Sequence, residues 1–331
     1  MSHASISFII PVRNDAARLR HCLRSIARSA TGRDDVEVIV ADNGSTDASA
    51  DVARAEGAAV IELAGLRVGA LRNRAAALAR GTLLAFVDAD HEIAPGWIAA
   101  ASEVLADLSV GGVGAPCHPP ASGTWVQKAY DRLRRHSRGR TTVEWLGSGN
   151  LAVRRAAFLA AGGFDTTLET CEDVDLCRRI RALGLTLVSD SRLGNIHYGD
   201  PGTLRDVYAG ELWRGRDNVR VSLRAPRSTR TLVSAAIPVV NLTALAAIPA
   251  GLATMTTGGA MLAAGGALWI GVIVGLRATL MMGRPAARPR ATLPQIVAVA
   301  AVYEAGRALA LVARAGHRRR GDSTTPARGV A

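Results

Sequence analysis

From Thr231 to Leu276 the chain runs for 46 residues without a charged side chain. A soluble domain rarely tolerates such a stretch, whereas about 20 apolar residues in a helix cross the hydrocarbon core of a bilayer. The run is therefore long enough for two spans joined by the short polar turn TMTTGG at 254–259. Pro238 and Pro249 fall inside it; membrane helices tolerate proline better than soluble ones. The loop at 283–292 carries Arg284, Arg288 and Arg290, and the positive-inside rule assigns it, together with everything before the run, to the cytoplasm. A hairpin that goes out and comes back satisfies both. The third apolar segment, 293–315, contains Glu304, Arg307 and Arg314 and is followed by HRRR at 317–320. That pattern favours a helix lying in the cytoplasmic interface, with a third span as the alternative. The expected organisation is a domain over 1–230, a membrane hairpin over 231–282, a basic loop and interfacial or third membrane helix over 283–316, and a disordered basic tail over 317–331.

Charge agrees with a membrane partner. The 331 residues carry a net charge of +12. Residues 1–230 contribute +4 of this and residues 231–331 contribute +8, so the excess is concentrated beside the apolar run. Anionic lipid head groups suit such a tail better than nucleic acid does. The cysteines Cys22, Cys117, Cys171 and Cys177 form no C-x-x-C pair, which argues against a zinc ribbon or disulfide framework and for a reducing compartment. The apolar run Ile6 to Val12 is short and lacks a basic segment before it, so it does not read as a signal peptide. The expected location is the inner or plasma membrane, with the first domain cytoplasmic.

The first half alternates strand and helix patterns. ISFIIPV (6–12) reads as a buried strand, VEVIVAD (36–42), AVIEL (59–63) and TLLAFVDAD (82–90) read as further strands, and helical spacing fills 16–30, about 47–56 and 68–80. This alternation predicts an α/β domain: a Rossmann-like, mostly parallel sheet with helices on both faces. Ligands bind such sheets beyond the carboxyl ends of the strands. There the sequence places Arg13, Asn14 and Asp15, then Asp42, Asn43 and Gly44, then Asp88 and Asp90.

Five segments carry candidate chemistry. The two carboxylates of VDAD (87–90) can hold a divalent cation against a diphosphate, although D-x-D alone is also an ordinary acidic turn. In ADNGSTD (41–47), Asp42 can accept hydrogen bonds from a base or ribose while Ser45 or Thr46 caps the next helix. GSGNLAVRRAAF (147–158) offers a glycine backbone at Gly147 and Gly149 and the amide of Asn150 beside a ligand, or simply a turn before a helix. CEDVDLCRRI (171–180) opens a helix with Glu172 and Asp173, either complementing the helix dipole or supplying a general base. HYGD (197–200) offers His197 as a metal ligand or a structural residue. Downstream, Trp213, Arg214 and Arg216 suit a diphosphate or sugar face, or a membrane-surface helix.

The order of these segments is more specific than any one of them. Together FIIPVRNDA (8–16), VIVADNGSTD (38–47), GALRNRAA (69–76), LLAFVDAD (83–90), GSGNLAVRRAAF and CEDVDLCRRI resemble the family-2 glycosyltransferases, which have the GT-A fold. The resemblance spans residues 6 to about 220. It implies an inverting transferase that uses a nucleotide-diphosphate sugar and Mg²⁺ or Mn²⁺. It also implies Pro11, Asn14, Asp42, Arg72 and Asp88 around the nucleotide sugar, and Asp90 with His197 on the metal. On the acceptor side it implies Gly149 and Asn150, with Asp173 as catalytic base; Glu172, Trp213 and Arg214 are further acceptor-side candidates from their own chemistry. Arg74 stands where the family commonly has glycine, and the Q-x-x-R-W signature of processive synthases is absent, which favours adding one or a few sugars. The membrane segments point to a lipid-linked or envelope-glycan acceptor. Two other readings remain at this stage: a nucleotidyltransferase, which would usually want a Gly- and Lys-rich phosphate loop where this chain has PVRNDA and only Lys128 as lysine, and an inactive membrane protein that binds nucleotide sugar.

Overall fold

A computed structural model of the chain describes residues 5–134, 136, 139–224, 229–284 and 291–321. In chain order the elements are β1 (Ile6–Val12), α1 (Ala16–Ser29), β2 (Val36–Asp42), α2 (Ser49–Ala55), β3 (Ala59–Glu62), α3 (Val68–Leu78), β4 (Leu83–Val87), β5 (His91–Ile93), α4 (Trp97–Val104), β6 (Val110–Gly114), α5 (Trp125–Asp131), β7 (Arg140–Val143), β8 (Asn150–Arg154), α6 (Arg155–Ala160), α7 (Glu172–Ala182), β9 (Thr186–Asp190), β10 (Asn195–His197), α8 (Leu204–Arg214), α9 (Asn218–Arg224), α10 (Thr229–Thr254), α11 (Thr257–Gly283) and α12 (Leu293–Gly321). They divide into two compact units: Met1–Asp200 with Arg284–Arg290, and Pro201–Gly283 with Ala291–Ala331.

The first unit is built on an eight-stranded sheet in the order β3-β2-β1-β4-β8-β6-β9-β7. β3, β2, β1 and β4 run parallel, so the carboxyl ends of β1, β2 and β4 share one edge, as the alternation predicts. Their apolar runs are continuous rather than alternating because both faces are covered. One face packs residues of α1, α2 and α4 against Ile6, Phe8, Ile10 and Val40. The other packs α3, α6 and α7 against Ile9, Ile39, Leu84 and Phe86. The strand pattern in the second half is less regular. β8 lies antiparallel between β4 and β6, and β7 runs antiparallel to β9. The segment after GSGN is thus a central strand, with α6 following it, rather than a helix directly. A separate pair of short strands, β5 and β10, runs antiparallel.

The second unit contains three helices long and apolar enough to cross a membrane: Thr231–Thr254, Thr257–Gly283 and Leu293–Ala313. Pro238 and Pro249 sit inside α10. α12 continues to Gly321. Residues 322–331, and Arg288 and Arg290 of the basic loop, lie outside the described residues. α12 is tied to both of its partners near their midpoints. Asn241 of α10 donates to Glu304 at 2.9 Å and accepts from Trp269 of α11 at 2.9 Å, while Arg277 of α11 donates to Glu304 at 2.7 Å. Asn241 and Glu304 are buried, so these bonds satisfy groups that would otherwise be costly in an apolar setting.

Candidate active site

The acidic rim forms where β4 ends. The amide of Asp88 donates to the carbonyl of Gly149 at 3.3 Å, and that of His91 donates back to Asp88 at 3.1 Å. Because β8 pairs with β4 through Val87 and Asn150, the GSG turn is pressed against the D-x-D turn. A Cβ at Gly149 would fall 2.6 Å from Asp88 Oδ2 and 2.9 Å from His91 Cε1; only glycine fits there. Asn150 itself is buried. It donates to the carbonyls of Ala115 and Leu193 at 2.9 and 2.7 Å and accepts from Trp97 Nε1 at 2.7 Å. Its amide holds β8 in place from beneath the rim.

Arg72, on the buried face of α3, joins two parts of the site. Its guanidinium donates to Asp88 at 2.6 Å and to Glu172 at 2.8 Å, and it is almost wholly enclosed. Burial opposes its charge, but Asp88 and Glu172 more than offset this, and its pKa lies above the ordinary arginine value. Glu172 opens α7 after Cys171, which is held in the left-handed region at φ 61°. A non-glycine residue there stores local strain, a common feature of functional turns. The strain aims Glu172 at Arg72 and Asp173 at the GSG turn, where Asp173 Oδ2 accepts from the amide of Ser148 at 3.4 Å. Enclosure by protein, and then the neighbouring Glu172 charge, push the Asp173 carboxyl well above the usual range. The guanidinium beside this pair hydrogen-bonds Glu172 and Asp88, while Asp173 faces the GSG turn.

Asp90 and His197, both expected at the metal, lie side by side. His197 Nε2 is 3.2 Å from Asp90 Oδ2, and Nδ1 is 2.7 Å from Asp200 Oδ1. Asp200 is in turn held by Arg134 at 2.7 Å. Burial works against both charges, yet His197 holds Asp90 down to about 2, and Asp200, then Asp90 and Cys117, raise His197 well above its ordinary value. A carboxylate behind a histidine, fixing its tautomer while the second nitrogen faces forward, is the outer-shell arrangement of metal sites. A Cβ at Gly199 would collide with Asp90 Oδ2, so the backbone leaves that carboxylate its space. Burial, and then the neighbouring charge of His197, depress His91, next to Asp90, to about 4, leaving a neutral imidazole. The donor set of carboxylates and imidazole fits a divalent cation.

The nucleotide-side residues are less uniform. Pro11 lies in β1 opposite Ala41. Asn14, at φ 53°, accepts from the amide of Thr46 at 2.7 Å. Asp42 is buried and turned onto its own loop, accepting from the amide and hydroxyl of Ser45. These bonds fix the two loops against each other. Trp213, exposed, and Arg214, paired with Glu211, belong to the second unit. Sequence reasoning missed Asp200, although the His197–Asp200 spacing in HYGD was a usable signal. It also missed His91 and Cys117, which no motif marks.

This sheet order, with an acidic turn at the end of β4 and an antiparallel strand closing over it, defines a GT-A nucleotide-sugar fold. Residues 7–158 match the family described as Glycosyl transferase family 2. A mannosyltransferase from Pyrobaculum calidifontis, solved with GDP-Man and Mn²⁺, superposes with a TM-score of 0.60 at 20% identity, covering 92% of this chain and 88% of its own. The pre-mycofactocin glycosyltransferase of Mycobacterium tuberculosis is 26% identical over 70% of this chain and 50% of its own length. Validoxylamine A glucosyltransferase from Streptomyces hygroscopicus is 28% identical over 55% of this chain and 52% of its own. The chain thus spans about half the length of these curated relatives.

Proposed function

We propose that this glycosyltransferase moves a sugar from a nucleotide-diphosphate donor to an acceptor hydroxyl or phosphate, with inversion, using Asp173 as general base. The observation that carries this reading is the sorting of two adjacent acids: Glu172 is neutralised by Arg72, and Asp173 is left basic beside the GSG turn. A single carboxylate that deprotonates the acceptor on the face opposite the leaving group inverts the anomeric centre; retention through a covalent intermediate would need a second carboxylate placed as nucleophile. Asp90 and His197 would hold Mg²⁺ or Mn²⁺, which would neutralise charge developing on the departing diphosphate. Asp200 keeps the His197 ring oriented. Asp88, fixed by Arg72, faces the donor, and Asn14 with Asp42 shapes the nucleotide end. The narrow turn at Gly149 lets donor and acceptor approach the same rim.

The second unit supports a membrane location. Its three helices are of spanning length, and a lipid-linked or envelope-glycan acceptor fits an enzyme kept at a bilayer. The chain leaves the first unit before α10 and rejoins it at Arg284, whose guanidinium reaches the carbonyl of Arg132 at 3.2 Å. That return supports a hairpin of α10 and α11 with the catalytic unit and the basic loop both cytoplasmic. The pairing of α12 with both hairpin helices supports a third span over an interfacial helix. The deciding experiment offers purified full chain a panel of nucleotide sugars with Mn²⁺ or Mg²⁺ and reads released nucleotide diphosphate. Release from one donor, dependent on metal and acceptor, is expected; intact donors throughout the panel would refute the reading.

A further inference from the structure

Beside the carboxylates lies a group of donors that a hard cation does not explain. His91, Cys117 and His197 each offer a nitrogen or sulfur atom, and these atoms lie within 4.8 Å of one another. Their placement follows from strand geometry. His91 and His197 are directly opposed across the β5–β10 pair, so their side chains emerge on the same face, with ring centroids 4.4 Å apart. The chain at 117–118 runs along the other edge of β10. His118 bridges Ile196 in parallel, its amide donates to the carbonyl of Asn195 at 2.8 Å, and its carbonyl accepts from the amide of His197 at 2.8 Å. Ile196 alternates with His197. His118 therefore shares the face of Ile196, and Cys117 shares the face of His197. Three short hydrogen-bonded chains thus set two imidazoles and one thiol on one rigid surface, the arrangement that metal sites need.

Mg²⁺ and Mn²⁺ prefer oxygen, whereas imidazole and thiolate suit Zn²⁺. We propose that His91, Cys117 and His197 form a thiophilic subsite that binds Zn²⁺ and, because His197 is common to both, excludes the hard cation from Asp90. The proposal rests on the reading of Asp90 and His197 as the hard-metal ligands. Zn²⁺ makes bonds of about 2.0–2.3 Å to nitrogen and sulfur, so modest rotamer changes close the triad around it. Coordination releases the Cys117 thiol proton to solvent as the sulfur–zinc bond forms. The fourth position is open to Asp90, whose Oδ1 is 3.8 Å from His91 Nε2, or to water. Such an enzyme would be inactivated by zinc under conditions in which manganese supports it.

The test uses full-length protein in detergent, without nucleotide sugar. Co²⁺ as a spectroscopic probe should give a near-ultraviolet sulfur-to-cobalt charge-transfer band that Zn²⁺ abolishes. Cys117→Ser, nearly isosteric and therefore expected to fold, should lose the band. In parallel, electron paramagnetic resonance of bound Mn²⁺ reads displacement by Zn²⁺; the Zn²⁺ concentration needed should rise roughly tenfold or more in Cys117→Ser. A wild-type protein without the band, a band that persists in Cys117→Ser, or equal displacement in both proteins overturns the subsite. Failure of wild type to bind Mn²⁺ while the cobalt band is present would instead overturn the hard-metal assignment, so the two readings fail separately.

Discussion

Arg72 and Glu172 stand 100 residues apart in the chain and 2.8 Å apart in the fold. Both are buried, and the same guanidinium holds Asp88. Breaking a buried pair costs about 3–5 kcal/mol because one charge is stranded. Arg72→Met should therefore lower the unfolding midpoint sharply, and adding Glu172→Gln should recover part of the loss. Denaturant titration of the two variants measures it; a midpoint unchanged in Arg72→Met would show that the link is dispensable.

The division of labour between the two acids has its own signature. Asp173→Asn preserves size and removes basicity, so donor affinity should persist while transfer falls by roughly 10²–10⁴-fold. Glu172→Gln should act mainly on stability. Single-turnover transfer with donor affinity measured alongside separates the effects. Near-wild-type transfer by Asp173→Asn would eliminate it as base.

The raised Asp173 carboxyl sets a pH window. With its pKa pushed up to about 7 by burial and by Glu172, the base is protonated at lower pH. The rate should fall about tenfold per pH unit below that value and level off above it. The stability consequence has the opposite sense. Between the ordinary aspartate value and about 7 the native state holds a proton that the unfolded chain has lost, so this group's stabilising contribution declines as pH rises through the window. Asp173→Asn should accordingly melt higher than wild type at pH 8 and differ less at pH 4. Equal differences at both pH values would contradict the shift.

For the metal, Asp90→Ala should abolish Mn²⁺-dependent donor binding in a folded protein. Asp200→Asn, which keeps the contacts to Arg134 and to the far nitrogen of His197 but removes the charge, should weaken Mn²⁺ binding about 10–100-fold. Gly199→Ala should weaken it too, because the added carbon occupies the space of Asp90 Oδ2. Calorimetry with and without Mn²⁺ checks all three, and unaltered affinity in Asp90→Ala would remove that ligand from the site.

The topology is open to labelling. A cysteine at Thr256, between α10 and α11, should react with an impermeant maleimide from outside the cell, and one at Ala291 should not. Labelling at Ala291 from outside would invert the orientation.

The parallel half of the sheet was legible because β1, β2 and β4 are mostly apolar and lead into Asn14, Asp42 and Asp88, a local pattern that burial on both faces imposes. β8 was not legible: NLAVR is no more strand-like than its neighbours, and its antiparallel place between β4 and β6 is decided by long-range pairing. The same pairing decides that Asn150 is spent on Trp97 and on backbone carbonyls. Asp90 and His197, proposed here as metal ligands, could be nominated from short motifs. Arg72, expected beside the nucleotide, proved to be the link between Asp88 and Glu172, a relation that no spacing in the sequence encodes. Cys117 was passed over because a single cysteine carries no signal until β10 brings it beside His197.

The bonds of Asn241 to Glu304 and to Trp269 join α10, α11 and α12 near the middle of each helix. Helices held only by apolar contact can slip along one another when the surrounding bilayer thickens or thins. These three cannot, since any axial slip of a few ångströms leaves buried amide or carboxylate groups unmet. In a bilayer the bundle would answer hydrophobic mismatch as a single body, by tilting or by deforming the lipid around it, and one polar plane rather than three independent segment lengths would set its depth.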